Sequence, residues 1–243
     1  QTLIAGDVLY KKSARTYFKA ELAQTEGAGF DERASLDGGF TFNPLTSSAS
    51  EDQDALAWRV EAAASGEDFN LEQPVNVTGF YEQLDDGFSA PGRLTQGDTV
   101  RFGRGLQTKF NERTSVALKY DSVSISGALD EDTMAADLRA AVTDQWTAGI
   151  GIRHNDVSGP LTITEGDRTD AGLELRRDVN EALSVYGFGQ ATIDTDGERE
   201  GLNRAGVGIE TRVLDAFQIR GEVSGGNGGT GALGGLTWQR SDG

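Results

Sequence analysis

The segment QWTAGIGIRHND, residues 145–156, sets Trp146, Ala148, Ile150 and Ile152 on one parity and Thr147, Gly149, Gly151 and Arg153 on the other. Side chains of a strand alternate between its two faces, so this stretch reads as a strand with one oily face and one small, polar or charged face. Two folds use such a strand in opposite ways. A soluble sandwich hides the oily face between sheets, and a transmembrane barrel turns it outward to lipid. Which face meets water therefore decides the function.

The alternation recurs along the chain. SARTYFKAELAQTE sets Phe18, Ala20 and Leu22 against Arg15, Lys19 and Glu21, and ALAWRVEAAA sets Leu56, Trp58 and Val60 against Arg59 and Glu61. RTSVALKYDS opposes Val116, Leu118 and Tyr120 to Lys119 and Asp121, and RAGVGIETRV opposes Val207, Ile209 and Val213 to Glu210 and Arg212. DAGLELRR and AFQIRGEV repeat it, with Glu174, Arg176, Arg220 and Glu222 on the charged parity. TMAADLRAAV has a helix-favouring composition, but it alternates like its neighbours, with Asp137 and Arg139 opposite Met134 and Leu138, and reads as a strand. Less regular candidates at 2–10, 34–43, 75–83, 99–110, 182–193 and 231–239 bring the total to about fourteen strands, within a range of about twelve to sixteen.

The connections carry a second signal. Tight turns are expected at FNERT, VTDQW, DVNEA and VLDAF, alternating with longer acidic or glycine-rich loops at SGALDEDT, NDVSGPLTITEGDRTD, DTDGEREGLN and SGGNGGTG. Short turns on one rim and long loops on the other are the habit of outer-membrane barrels, whereas sandwiches mix loop lengths at both ends. The oily face is rich in Ala, Gly and Val, which would leave a two-sheet core thin but makes no difficulty against lipid tails. Trp146, Phe110 and Phe217 sit at strand ends, as an interfacial aromatic girdle requires. Arg104 shares the oily parity of Val100, Phe102 and Leu106, so it calls for a bulge at Gly103 or Gly105, or a place near a rim.

Composition excludes several classes. A net charge of −17 leaves nothing to neutralise phosphates, which excludes nucleic acid as a partner and a basic patch for anionic membrane surfaces. There is no cysteine, hence no disulfide and no thiolate metal site. No run approaches the ~18–20 apolar residues of a membrane-spanning helix, which does not bear on barrels. The opening QTLIAGDV lacks the basic start and apolar run of an export signal, so a secreted protein is expected here in processed form.

Local motifs add little chemistry. With one histidine, a Ser-His-acid site requires His154, which the register turns toward lipid; no catalytic residue and no cofactor site is expected. DTDGERE begins like a calcium loop but has Arg204 near the position of the bidentate Glu, RFGRGLQ has no following helix to make a phosphate loop, and SGGNGGTGALGG occurs once, without periodic Asp. NVT at 76–78 is a chance glycosylation match. Asp130, Glu131, Asp132, Glu165, Asp167, Asp170, Asp194, Asp196, Glu198 and Glu200 are expected at one rim. They read as solvated loops, with divalent cations shared with lipopolysaccharide phosphates as the sharper alternative.

GFYEQLDDGFSAPGRLTQGDTVRFGRGLQTKFNERTSVALKYD, residues 79–121, resembles the C-terminal barrel region of large outer-membrane proteins of Gram-negative bacteria, and QWTAGIGIRHND and VNEALSVYGFGQATIDTDG share its texture. The resemblance implies a barrel in the outer membrane, as one section of a longer polypeptide. One departure is that Trp238 is followed by QRSDG, where such barrels end on an aromatic.

The sequence thus predicts a single domain over 1–243, an all-β, antiparallel up-and-down transmembrane β-barrel in the bacterial outer membrane. It would serve as a passive pore, or as an anchor for larger extramembrane parts. Arg15, Lys19, Arg59, Glu61, Lys119, Asp121, Glu210 and Arg212 are the expected pore-lining residues. Expected partners are lipid, lipopolysaccharide, small solutes and other membrane-complex subunits. The competing reading is a soluble or cell-surface all-β binding protein of the adhesin kind; an outer-membrane hydrolase using His154 is a third.

Overall fold

The computed structural model describes residues 2–26, 54–90, 93–95, 97–160, 162, 164–214 and 216–238. Fifteen strands follow the period-2 pattern: β1 (Thr2–Lys11), β2 (Tyr17–Glu26), β3 (Ala55–Ser65), β4 (Val75–Leu84), β5 (Ser89–Ala90), β6 (Arg93–Leu94), β7 (Thr99–Asn111), β8 (Thr114–Ile125), β9 (Leu129–Ala141), β10 (Trp146–Ser158), β11 (Gly166–Asn180), β12 (Leu183–Thr195), β13 (Arg204–Leu214), β14 (Phe217–Gly226) and β15 (Gly229–Trp238). Thirteen of them form one sheet in which each strand lies antiparallel beside its sequence neighbour, and β5 and β6 make a separate small hairpin between β4 and β7. The helix-favouring TMAADLRAAV lies almost wholly within β9. The strand expected at 34–43 falls outside the described residues. The only helical segment among the described residues is a 3-10 turn, Gly66–Phe69.

Register preserves the two faces from strand to strand. Ile150 stands opposite Leu138 of β9 and Leu173 of β11, and one residue earlier Gly149 stands opposite Arg139 and Glu174. The oily face is the exposed one: Ile150 is 57% exposed, Leu173 61% and Val207 60%. On the other face the side chains of Glu82 and Glu222 keep only 11% and 15% of their surface. A soluble sandwich would have the opposite distribution. Monomers in water rarely expose apolar patches beyond a few hundred Å², and this face continues across all the strands without a second sheet on it.

Aromatic residues border the oily face at two levels. Tyr10, Phe18, Phe110, Trp146, Phe217 and Trp238 lie toward the short-turn rim, with Phe217 and Trp238 stacked at 6.4 Å. Trp58 stacks on Tyr81 at 4.9 Å and Phe102 leans on Tyr120 at 5.2 Å at the other level. Phe102 and Phe110 belong to the same strand. Their spacing along it is ~27 Å before tilt, close to the ~25 Å apolar band of an outer-membrane barrel.

Two expected loops are tight turns. β8 passes to β9 through residues 126–128, with Gly127 at φ 70°, and β14 passes to β15 through residues 227–228. Only a residue without a Cβ takes that φ cheaply, so glycine permits a reversal where the acidic composition suggested an open loop. Asp130, Glu131 and Asp132 therefore extend β9, Asp167 and Asp170 extend β11, and Asp194 extends β12. The rim opposite the short turns is built from projecting strands as much as from loops.

The two edge strands differ from the rest. Both faces of β1 and β15 are exposed along their whole lengths, and no ladder joins them among the described residues. Thirteen alternating strands leave β1 and β15 running in the same direction.

Candidate permeation wall

Seven of the eight expected lining residues share the polar face: Lys19 of β2, Arg59 and Glu61 of β3, Lys119 and Asp121 of β8, and Glu210 and Arg212 of β13, with Lys119 and Arg212 exposed and the others partly shielded. Arg15 does not lie in a strand. It occupies the turn between β1 and β2, where its guanidinium meets Glu67 at 2.9 Å.

The face is a lattice of ion pairs. Lys19 meets Glu21 at 2.7 Å, Arg59 meets Glu61 at 2.9 Å and Glu82 at 3.9 Å, and Arg101 reaches Glu82 at 3.7 Å. Lys119 pairs with Asp121 at 2.7 Å. Across β9 to β14, Arg139 faces Glu174 at 3.8 Å, Arg176 holds Glu210 at 2.8 Å, and Arg204 and Arg220 both reach Glu222 at 3.9 Å. Partly exposed pairs are worth about 0–1 kcal/mol each. Their effect is therefore to hold long side chains along the polar face more than to stabilise the fold.

Three aromatic rings on this face lie over glycines. A Cβ on Gly103 would stand 2.5 Å from Phe80, one on Gly206 2.7 Å from Phe188, and one on Gly208 2.1 Å from Tyr186. Cations attend the two phenylalanines: the Arg59 guanidinium is 4.5 Å from the Phe80 ring and that of Arg204 is 5.1 Å from Phe188. Tyr186 donates to Glu222 at 2.7 Å. Glu82, Arg101 and Arg204, which join the ion pairs on the polar face, were not among the expected lining residues. The usable signal was parity: Glu82 and Arg101 alternate within the less regular candidates 75–83 and 99–110, and Arg204 opens the regular RAGVGIETRV on the parity of Glu210 and Arg212.

Near the opposite rim, the connection from β4 to β7 turns onto the polar face. Its β5–β6 hairpin seats Phe88 in a buried cluster with Ala55, Ala57 and Leu84, the one such cluster among the described residues. Asp85 fixes the base of this connection, accepting from the Leu56 amide at 3.0 Å, and Asp86 accepts from the Gly97 amide at 2.7 Å.

At the short-turn rim the β1–β2 turn is clamped to the 3-10 turn. Asp68 accepts from Ser13 at 2.6 Å and from Thr16, and Lys12 donates to its carbonyl at 2.5 Å. Those two hydroxyls, then the nearby Lys12 and Arg15 charges, hold the Asp68 carboxyl below the usual carboxylate range.

The residues singled out for other chemistry are dispersed. His154 lies on the oily face with Nδ1 2.9 Å from the Thr169 hydroxyl. The acidic residues split between faces: Glu131 accepts from Asn155 at 2.9 Å and Asp170 accepts from Arg168 at 3.0 Å on the polar side, while Asp132, Asp156 and Asp167 stand side by side on the other. No group of three or more such side chains is arranged to hold a metal among the described residues.

A single antiparallel up-and-down sheet, apolar on its exposed face and charged on its shielded one, defines a transmembrane β-barrel of the porin type. Two mutants of the Rh. blastica porin have this fold. One is 16% identical, aligned over 97% of this chain and 89% of its own with a TM-score of 0.51. The other is 17% identical over the same shares with a TM-score of 0.50. A KdgM porin in complex with disordered oligogalacturonate aligns at 10% identity over 76% of this chain and 93% of its own, with a TM-score of 0.46. Comparison with protein-family models gives no match, and comparison with curated protein sequences gives none.

Proposed function

We propose that this chain is a passive diffusion pore of the bacterial outer membrane, with lipid and lipopolysaccharide around it and small solutes passing through it. The observation that carries the reading is the inverted exposure: Ile150, Leu173 and Val207 face outward while Glu82 and Glu222 are shielded. A hydrocarbon surround makes that arrangement favourable, and water on the polar side solvates the lattice of charges. Lys19, Arg59, Glu61, Lys119, Asp121, Glu210 and Arg212 form the wall in this reading, and Arg15 acts at its rim. Solutes would be filtered by pore width and wall charge, with no catalytic step. The likeness of residues 79–121 to the barrel regions of large outer-membrane proteins supports a further element, that the whole chain is one barrel domain within such a protein and also anchors it.

Reconstitution into planar bilayers tests the proposal. Discrete current steps are expected from protein that migrates heat-modifiably on gels. Protein that stays dispersed without detergent would instead indicate the soluble all-β alternative. Folded barrels that pass no current at any voltage would leave anchoring as the function.

A further inference from the structure

The lipid-facing side of β12 carries Gly187 and Gly189 where three of the four residues facing them are Leu or Val. Gly187 stands between Leu175 of β11 and Val207 of β13, and Gly189 between Leu173 and Ala205. The result is a shallow trough of about 940 Å³ on the oily face, bounded by Leu173, Leu175, Val207 and Ile209. An ideal Cβ on Gly189 would meet nothing within 4 Å, so the space is open and not claimed by the protein. At its short-turn end lie Trp146 and Arg177.

Arg177 is the unusual member. The neighbouring Arg176 turns to the polar face and pairs with Glu210, whereas Arg177 shares the oily face with Leu175 and Leu173. Its guanidinium lies 5.5 Å from the centre of the Trp146 ring, and among the described residues it makes no ion pair. A cation at the interfacial level, beside an aromatic ring and at the end of an apolar trough, is complementary to one kind of molecule. Short turns of outer-membrane barrels face the periplasm, where the adjoining leaflet is phospholipid. Guanidinium binds a phosphate with two parallel, charge-assisted hydrogen bonds, and an acyl chain fills an apolar trough of this shape.

We infer that the trough over Gly187 and Gly189 holds one acyl chain of an anionic phospholipid whose headgroup is engaged by Arg177. The inference rests on the membrane-barrel reading above. One basic residue near a membrane surface supplies about fivefold discrimination between anionic and zwitterionic headgroups.

Native mass spectrometry of the full chain, released from maltoside micelles containing equal palmitoyl-oleoyl phosphatidylglycerol and phosphatidylcholine, tests it. One phosphatidylglycerol should be retained, favoured about fivefold over phosphatidylcholine. Arg177→Gln should abolish the preference, and Gly189→Leu, which fills the trough without touching the wall, should abolish retention. Equal retention of both lipids, or unchanged retention by Gly189→Leu, overturns the inference. So does a change of oligomeric mass in Gly189→Leu by light scattering, which would assign the trough to a second copy of the chain. Heat-modifiable migration is scored on every sample. Its absence from the unaltered protein sinks the barrel reading itself, whereas a folded barrel without lipid preference sinks only the site.

Discussion

Arg104 shows how a residue that offends the pattern is accommodated. No bulge interrupts β7 there, and Arg104 keeps its place on the oily face between Gly79 and Tyr120. Its guanidinium lies 5.1 Å from the centre of the Tyr120 ring, whose hydroxyl donates to Asp132 at 2.8 Å, so the ring stands between the charge and a rim carboxylate. A glycine beneath a ring has the reverse logic, and Gly208 is the tightest of the three. Because a Cβ on Gly208 would sit 2.1 Å from Tyr186, Gly208→Ala must push the ring off the wall and break its bond to Glu222. We expect a loss of about 1–3 kcal/mol, read from denaturant unfolding in detergent, together with a smaller single-channel conductance. Unchanged stability and conductance would show that the ring is not held there. Asp68 gives a pH prediction. Its carboxyl is held below its ordinary value, so it contributes stability above the unfolded pKa of ~3.9, and that contribution is lost as pH falls through the lower folded value. Asp68→Asn should therefore melt below the wild type at pH 7, and the two melting curves should converge on acidification below about pH 4. A gap that persists in acid would mean that the asparagine fails for reasons other than charge.

The strands were the most legible elements because a period of two is written locally. Parity alone separates Ile150 from Gly149 and Leu118 from Lys119, and the register between strands then follows from keeping the oily residues in line. What parity cannot express is where a strand stops. Asp130 to Asp132 and Asp167 to Asp170 alternate like any strand, but their acidity resembled loop; for Asp130 to Asp132 the turn at Gly127 decided the matter through one backbone angle. The β5–β6 hairpin was illegible for a different reason. Phe88 finds Ala57 and Leu84 only after the chain has folded back, and the Asp68 clamp likewise joins turns separated by two strands. The membrane assignment makes an element-level prediction. Ile150→Arg puts a charge on the lipid face and should cost about 2–4 kcal/mol, enough to lower the yield of folded, heat-modifiable protein. Ala117→Arg lies on the polar face opposite Gln107 and Asp137, and should fold normally. Equal tolerance of both substitutions would refute the lipid-facing assignment.

Over the whole molecule, charge is unevenly distributed, and this should set ion selectivity. The wall is close to balanced, since its arginines and lysines are matched by carboxylates from Lys19–Glu21 through Arg220–Glu222. The chain nevertheless carries −17. Among the described residues, much of the excess stands at the rim opposite the short turns, where the Glu198 amide donates to the Glu165 carbonyl at 2.7 Å and the Asp196 amide to that of Asp167 at 3.0 Å. Rim charge acts on ions through water and is screened within about 10 Å at 0.1 M salt and about 3 Å at 1 M. Reversal potentials across a KCl gradient should therefore show cation preference at low salt that fades at high salt. Replacing Glu165, Glu198 and Glu200 by Gln should reduce the low-salt preference about twofold, by lowering the local cation concentration. Exchanging the members of the Lys119–Asp121 pair leaves the wall neutral and should leave selectivity unchanged. If permeation instead followed the wall exchange and ignored the rim substitutions, the constriction would lie beside β8, and the neutral lattice would be the selectivity element.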